Sequence, residues 1–149
     1  MSPPEVWGPP VWTLFHTLSA QLTNDALIPT LFIYIQRICK FLPCPECSQD
    51  ATIFLQQVQM NEIKTGEDFS KMLYIFHNHV NRKKRKQLFN YSELPKYKAY
   101  NLVNTFQNFT RVYNTRGNMQ LIADNFQRSM IIADFKRWIG ANISSFQQD

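Results

Sequence analysis

Glycine is scarce in this chain, with four in 149 residues, and no long run alternates apolar with polar side chains. Few sheet-forming turns can therefore be placed, which excludes a sheet-based fold and leaves an all-α reading. Long apolar runs are missing as well. The stretch Leu27 to Ile35 is broken by Pro29 and Thr30 and closed by Gln36 and Arg37, too short to cross a bilayer, so no membrane contact is expected. The amino end carries Ser2, Pro3, Pro4 and Glu5 rather than a basic segment followed by an apolar one, so no secretion signal is expected. Cysteine is limited to Cys39, Cys44 and Cys47. Three thiols argue against a disulfide-stapled secreted scaffold and favour one working pair plus one odd thiol.

What is present is enough apolar mass for one core: 44% hydrophobic and 14% aromatic residues, with a net charge of +5. Val11, Leu14, Phe15, Leu18 and Leu22 recur at helical spacing and predict a first helix from about Pro10 to Leu22. Leu31, Ile35, Ile38 and Leu42 predict a second from about Pro29 to Phe41, stopped by Pro43. A third runs from Pro45 to about Gln59 on Ala51, Phe54, Leu55 and Val58, and a fourth, capped by Glu67 or Asp68, runs to about Lys84 on Phe69, Met72, Leu73, Phe76 and Val80. Asn90 to Glu93 reads as a turn and cap before a fifth stretch through Tyr100, Leu102, Val103 and Phe106. After a break at Thr115 to Asn118, residues such as Phe126, Ile131, Phe135 and Trp138 predict one or two further helices.

Chemistry concentrates at Cys44-Pro45-Glu46-Cys47. Two cysteines three apart at a helix start can close a small disulfide ring or open into a reactive pair. Pro45 suits a first helical position, which puts Cys47 in the first turn, where free amides and the dipole stabilise a thiolate. A zinc site would need more ligands than Cys39 supplies, and His77 and His79, two apart, point to different sides of a helix. A thioredoxin-type pair would need a strand before it, whereas both flanks read as helices. Cys39 itself lies among Ile35, Ile38 and Leu42 and reads as a small buried hydrophobe. The run Arg82 to Lys86 reads as a solvated face, a phosphate-neutralising group or a nucleic-acid patch.

Three stretches in order resemble the Erv/ALR flavin-linked sulfhydryl oxidases. Trp7-Gly8-Pro9-Pro10-Val11-Trp12-Thr13-Leu14-Phe15-His16 is similar to the family's W-G-x-x-x-W-x-x-x-H helix, and Phe41 to Cys47 to its redox segment. His77-Asn78-His79-Val80-Asn81, with Lys86 five residues on, is similar to its adenosine-holding segment. The resemblance covers about residues 5 to 110. It implies a four-helix bundle with a short fifth helix; the additional C-terminal helices read from the apolar spacing lie beyond the match. It also implies FAD beside a redox pair of Cys44 and Cys47, with FAD bound by Gly8, Trp12, His16, Cys47, His77, Asn78, Val80, Asn81, Lys84 and Lys86. Trp12 and His16, four apart, share a helix face and offer flat rings, while His77 and Asn81 share a face of the fourth helix on which, with Asn78 adjacent, polar groups converge. No metal is expected.

The implied activity is thiol oxidation. A dithiol substrate exchanges with the Cys44–Cys47 disulfide, with Cys44 as the exchanging sulfur and Cys47 toward the flavin, and dioxygen takes the electrons to give hydrogen peroxide. The chain has no residues for the extra shuttle disulfide or second structural pair of many cellular members, which resembles virus-encoded minimal members. Expected partners are a protein dithiol or a thioredoxin-like dithiol carrier, and a second copy in a homodimer; the expected place is host cytoplasm or virion. Residues 111–149 are expected to pack on the core or at a dimer interface. Two other classes remain: a flavin-free binding module, and a basic nucleic-acid-binding protein using Arg82 to Lys86.

Overall fold

The computed structural model describes residues 3–114 and 119–147. Six α-helices occupy them: α1 (Pro4–Gln21), α2 (Ile28–Lys40), α3 (Pro45–Gln56), α4 (Gly66–Lys83), α5 (Leu102–Tyr113) and α6 (Met119–Ala141). No β-strand occurs among the described residues; Leu22 and Phe146 form one isolated antiparallel bridge. The all-α bundle expected from the sequence is the observed architecture, with α1 lying against α4 and α5 and α2 against α3 and α6.

The helix boundaries follow local chemistry. α1 starts at Pro4, earlier than the apolar spacing predicts, because Pro4 occupies the first turn and Trp7 is buried there with Val11. Pro9 and Pro10 lie inside it and remove two amide donors from the second turn. α4 is capped by Thr65 rather than by Glu67 or Asp68. The Thr65 hydroxyl accepts the Asp68 amide at 3.1 Å while the Asp68 carboxylate accepts the Thr65 amide at 3.2 Å, a reciprocal capping box. The fifth stretch divides in two: a 3₁₀ segment over Tyr91–Ala99, then α5, whose Asn101 side chain accepts the Asn104 amide. Tyr100 and Val103 are consequently exposed, and the buried stripe of α5 is Leu102, Phe106, Phe109 and Tyr113. The predicted break at Thr115 to Asn118 lies outside the described residues, and a single helix follows it.

Two long-range ties position the redox segment between α2 and α3. Tyr113 donates its hydroxyl to the Ile38 carbonyl at 2.9 Å, and the buried Arg128 donates to the Phe41 carbonyl at 3.1 Å. A helix C-terminus presents unpaired carbonyls and negative partial charge, so a phenol and a guanidinium there satisfy both. α6 also pairs Asp134 with Arg37 of α2 and stacks Phe135 on Tyr34. Beyond α6, the Ser145 carbonyl accepts from the Thr23 amide at 2.7 Å, fastening the tail to the end of α1.

Candidate active site

Cys44 is the N-cap of α3 and Pro45 its first residue, as the proline spacing predicts. The two cysteines are joined as a disulfide with Cα atoms 5.2 Å apart. Cys44 Sγ accepts the Cys47 amide at 3.3 Å, so the sulfur occupies the place a capping oxygen would take. Ser48, one residue on, is buried and accepts the Leu42 amide at 2.7 Å, which ties the loop before the pair to the helix after it.

Across from the disulfide, aromatic rings from α1 and α4 interleave. Trp12 and His77 stack with centroids 4.2 Å apart and planes 5° from parallel. His16 lies fully buried behind His77, its Nε2 2.9 Å from His77 Nδ1. Phe89 stacks on both imidazoles, and Tyr97 flanks His16. Burial, then the facing His77 and Lys96, holds His16 at about 3, well below its ordinary 6.5. Burial and Lys86 hold His77 at about 4. Both rings are neutral at neutral pH, so one donates and the other accepts in their shared hydrogen bond.

The chain leaves α4 through a tight reversal. Lys86 N–H donates to the Asn81 carbonyl at 2.8 Å and Arg85 N–H to the Arg82 carbonyl at 3.2 Å, the two bonds of a Schellman motif. Arg85 takes the left-handed conformation that such an end requires, with φ of 56°. The reversal directs Lys84 to Cys47, with Nζ 3.5 Å from Sγ and 5.8 Å from the Trp7 ring centroid. Lys83 also lines the cavity but pairs with Asp50 at 2.6 Å.

Disulfide, rings and lysines enclose a cavity of about 760 Å³, within the range of small-molecule and cofactor sites. Its chemistry fits a flavin dinucleotide. Flat rings (Trp12, His77) and apolar walls (Val11, Phe76) suit fused heterocycles, Lys84 and Lys86 suit a pyrophosphate, and the disulfide lies in the same wall. Gly8 adds an independent sign: it lines the cavity from within α1, yet a Cβ built there meets no atom within 4 Å. The protein's own packing does not demand glycine at that position, and helix propensity opposes it, so the space left open serves something outside the chain. Trp7, also in the wall, has a buried indole N–H without an acceptor.

Of the residues singled out in the sequence, Gly8, Trp12, Cys44, Cys47, His77, Val80, Asn81, Lys84 and Lys86 line this cavity. His16 and Asn78 do not. The spacing of four does put Trp12 and His16 on one face, but His77 enters from α4 in front of His16, so the plate beside Trp12 is His77. Asn78 is buried and clasps the backbone of Phe89 both ways: its Oδ1 accepts the Phe89 amide at 2.7 Å and its Nδ2 donates to the Phe89 carbonyl at 3.0 Å. Asn81 donates to the Asn78 Oδ1. Phe89, Tyr97 and Gln21 escaped the sequence reading. Gln21 is buried and donates to the carbonyls of Tyr97 and Tyr100, which holds the 3₁₀ segment over the imidazoles. A glutamine at the end of an otherwise apolar helix face was the available signal.

A helical bundle that frames a flat-walled cavity with a Cys-x-x-Cys disulfide defines a class, the dithiol-linked cofactor oxidoreductases. The sequence matches the Erv1 / Alr family over residues 9–101, and the chain belongs to that family. It is 27% identical over 104 residues to the "FAD-linked sulfhydryl oxidase" of African swine fever virus, covering 68% of this chain and 87% of that protein. A fowlpox virus protein named "Probable FAD-linked sulfhydryl oxidase" is 32% identical over 73 residues, 49% of this chain and 72% of its own length. The vaccinia virus protein of the same description is 30% identical over 73 residues, 49% of this chain and 74% of its own. No solved structure matches significantly.

Proposed function

We infer that this protein is a FAD-linked thiol oxidase that forms disulfide bonds in client proteins and passes the electrons to dioxygen, giving hydrogen peroxide. The observation that carries the reading is the shared cavity, with the Cys44–Cys47 disulfide in one wall and the stacked Trp12 and His77 in another. When bound, FAD supplies the two-electron acceptor that cysteine alone lacks.

The chain's own residues have separable duties. A client thiolate attacks Cys44, the more N-terminal sulfur at the helix cap, and the bonding pair leaves on Cys47. A second client thiolate then attacks the mixed disulfide and leaves Cys44 reduced, so two client thiols become one disulfide. Cys47, in the first turn of α3, keeps its negative charge with help from the helix amides and dipole. Trp12 and His77 hold the flat portion of the cofactor, Gly8 leaves it room, Val80 and Asn81 line its adenosine half, and Lys86 neutralises the pyrophosphate. His16 and Asn78 act one layer back, fixing His77 and Phe89.

Clients are protein dithiols or a thioredoxin-like dithiol carrier, and the working form is a homodimer; a place in the host cytoplasm or the virion is in keeping with the viral source of the relatives. No described helix is long and apolar enough to cross a membrane. The deciding measurement is the visible spectrum of purified protein together with oxygen uptake on addition of dithiothreitol. Yellow protein that consumes oxygen is expected; colourless protein inert to dithiol refutes the reading. Light scattering coupled to gel filtration tests the dimer.

A further inference from the structure

We propose that Lys84 is a catalytic residue of this chain, an ammonium placed to hold Cys47 as a thiolate once the Cys44–Cys47 bond opens. The proposal rests on the thiol-oxidase reading of that pair. Its geometry is specific. Of the five consecutive basic residues, Lys84 is the one whose Nζ reaches a reacting sulfur, at 3.5 Å from Cys47 Sγ. The Trp7 ring, 5.8 Å from Nζ, holds the head in place by cation–π attraction. The left-handed Arg85 and the Schellman bonds turn the chain back at that point, and Lys83 is occupied by Asp50. A strained non-glycine residue that aims a neighbouring side chain at a redox sulfur is the pattern expected of a working site.

The electrostatics agree. In the oxidised protein the disulfide is neutral, and Lys84 is partly stripped of water, which together with Lys86 lowers its pKa. Glu5 from α1 and Glu46 and Asp50 from α3 oppose that shift, and Cys39, His77, His79, Lys83, Lys86 and Tyr97 are the other titratable groups lining the cavity. Opening the bond changes this balance: a client thiolate bonds to Cys44, the Cys44–Cys47 bond breaks, and its electron pair settles on Cys47 beside an ammonium lacking a full hydration shell. No proton has to be delivered to Cys47, and the sulfur stays an electron donor.

The test reads thiolate character without turnover. On the Cys44→Ser holoprotein, where Cys47 is a free thiol, the rate of Cys47 alkylation by iodoacetamide is followed against pH by peptide mass mapping. Lys84→Gln should raise the midpoint by about one pH unit, a tenfold loss of thiolate at fixed pH. Lys84→Arg should restore most of it, and Lys83→Gln should move it far less. Lys84→Met keeps a stem over the Trp7 ring and gives a second loss of charge should Lys84→Gln not fold. An unmoved midpoint in either folded variant, or an equal shift from Lys83→Gln, overturns the proposal. Because alkylation needs neither oxygen nor client, such a result, where the protein with both cysteines intact is yellow and consumes oxygen, sinks the Lys84 role alone, whereas a colourless and inert protein with both cysteines intact sinks the oxidase.

Discussion

The two walls of the cavity use opposite physics. At the mouth, the helix cap of α3 and the reversal after α4 gather charge: Cys47, Lys84, Lys86, Glu46 and Asp50 lie around a bond that opens and closes. At the back, His16, His77, Phe89, Trp12 and Tyr97 are stacked, desolvated and neutral. The mouth stabilises an anion that exists only part of the time. The back holds its shape through ring contacts among uncharged groups. Chemistry and retention are thereby assigned to different residues, which makes the two separable by mutation.

The largest expected effects are a double dissociation. Cys47→Ser and Cys44→Ser should each reduce oxygen consumption to background while gel-filtered protein stays yellow. Trp12→Ala and His77→Ala should instead release flavin on gel filtration, with affinity down about tenfold or more, and still form the Cys44–Cys47 disulfide as judged by thiol titration. Flavin lost from both sets, or from neither, breaks the division.

Gly8→Ala sharpens it, since the two measurements should move in opposite directions. Flavin affinity should fall severalfold because a methyl group enters the cavity. Stability of the cofactor-free protein in urea should rise by about 0.5–1 kcal/mol because a helical glycine is replaced by alanine. A fall in both would mean that Gly8 serves the fold.

The neutral back also predicts a pH dependence. His16 and His77 have folded pKa values near 3 and 4, below the ordinary 6.5, so the unfolded chain binds more protons between those limits. Stability is therefore fully present above pH 6.5 and is lost as pH falls toward about 4, by an amount on the order of a few kcal/mol at about 1.4 kcal/mol per unit. Urea midpoints measured across that window should drop, and His16→Phe should flatten the slope. An unchanged slope would show that His16 already takes a proton in the folded state.

The smallest effect belongs to the turn between the walls. Arg85→Gly should relieve the left-handed strain and stabilise the protein by up to about 1 kcal/mol, with flavin retention unaltered, because the Arg85 side chain is exposed. A loss of flavin would place Arg85 among the holding residues.

Much of this was readable in the linear chain where the signal was local. Pro45 after Cys44, the apolar spacing of α1, α2 and α4, and the Trp7 to His16 stretch each depend on neighbours within a few turns. What the linear chain left undecided is where a distant element acts. His16 lies behind His77 because α4 packs its imidazole against α1. Asn78 serves Phe89 because the chain doubles back after the Schellman turn, so two residues eleven apart become hydrogen-bonded. The cap of α4 was missed by two or three residues because Thr65 and Asp68 cap reciprocally, a pairing weaker in sequence than an acidic first turn.

By itself the amino-acid order determined an all-helical chain, the sulfur pair at a helix tip and the ring-bearing faces, since spacing, proline and helix amides act within one or two turns. Tertiary packing alone decided which ring fronts the cavity, which asparagine clasps the Phe89 backbone, and which of five adjacent cations meets a sulfur. Those outcomes depend on how α1, α3 and α4 are set against one another, and no periodicity along a single helix encodes the side chain that arrives from another.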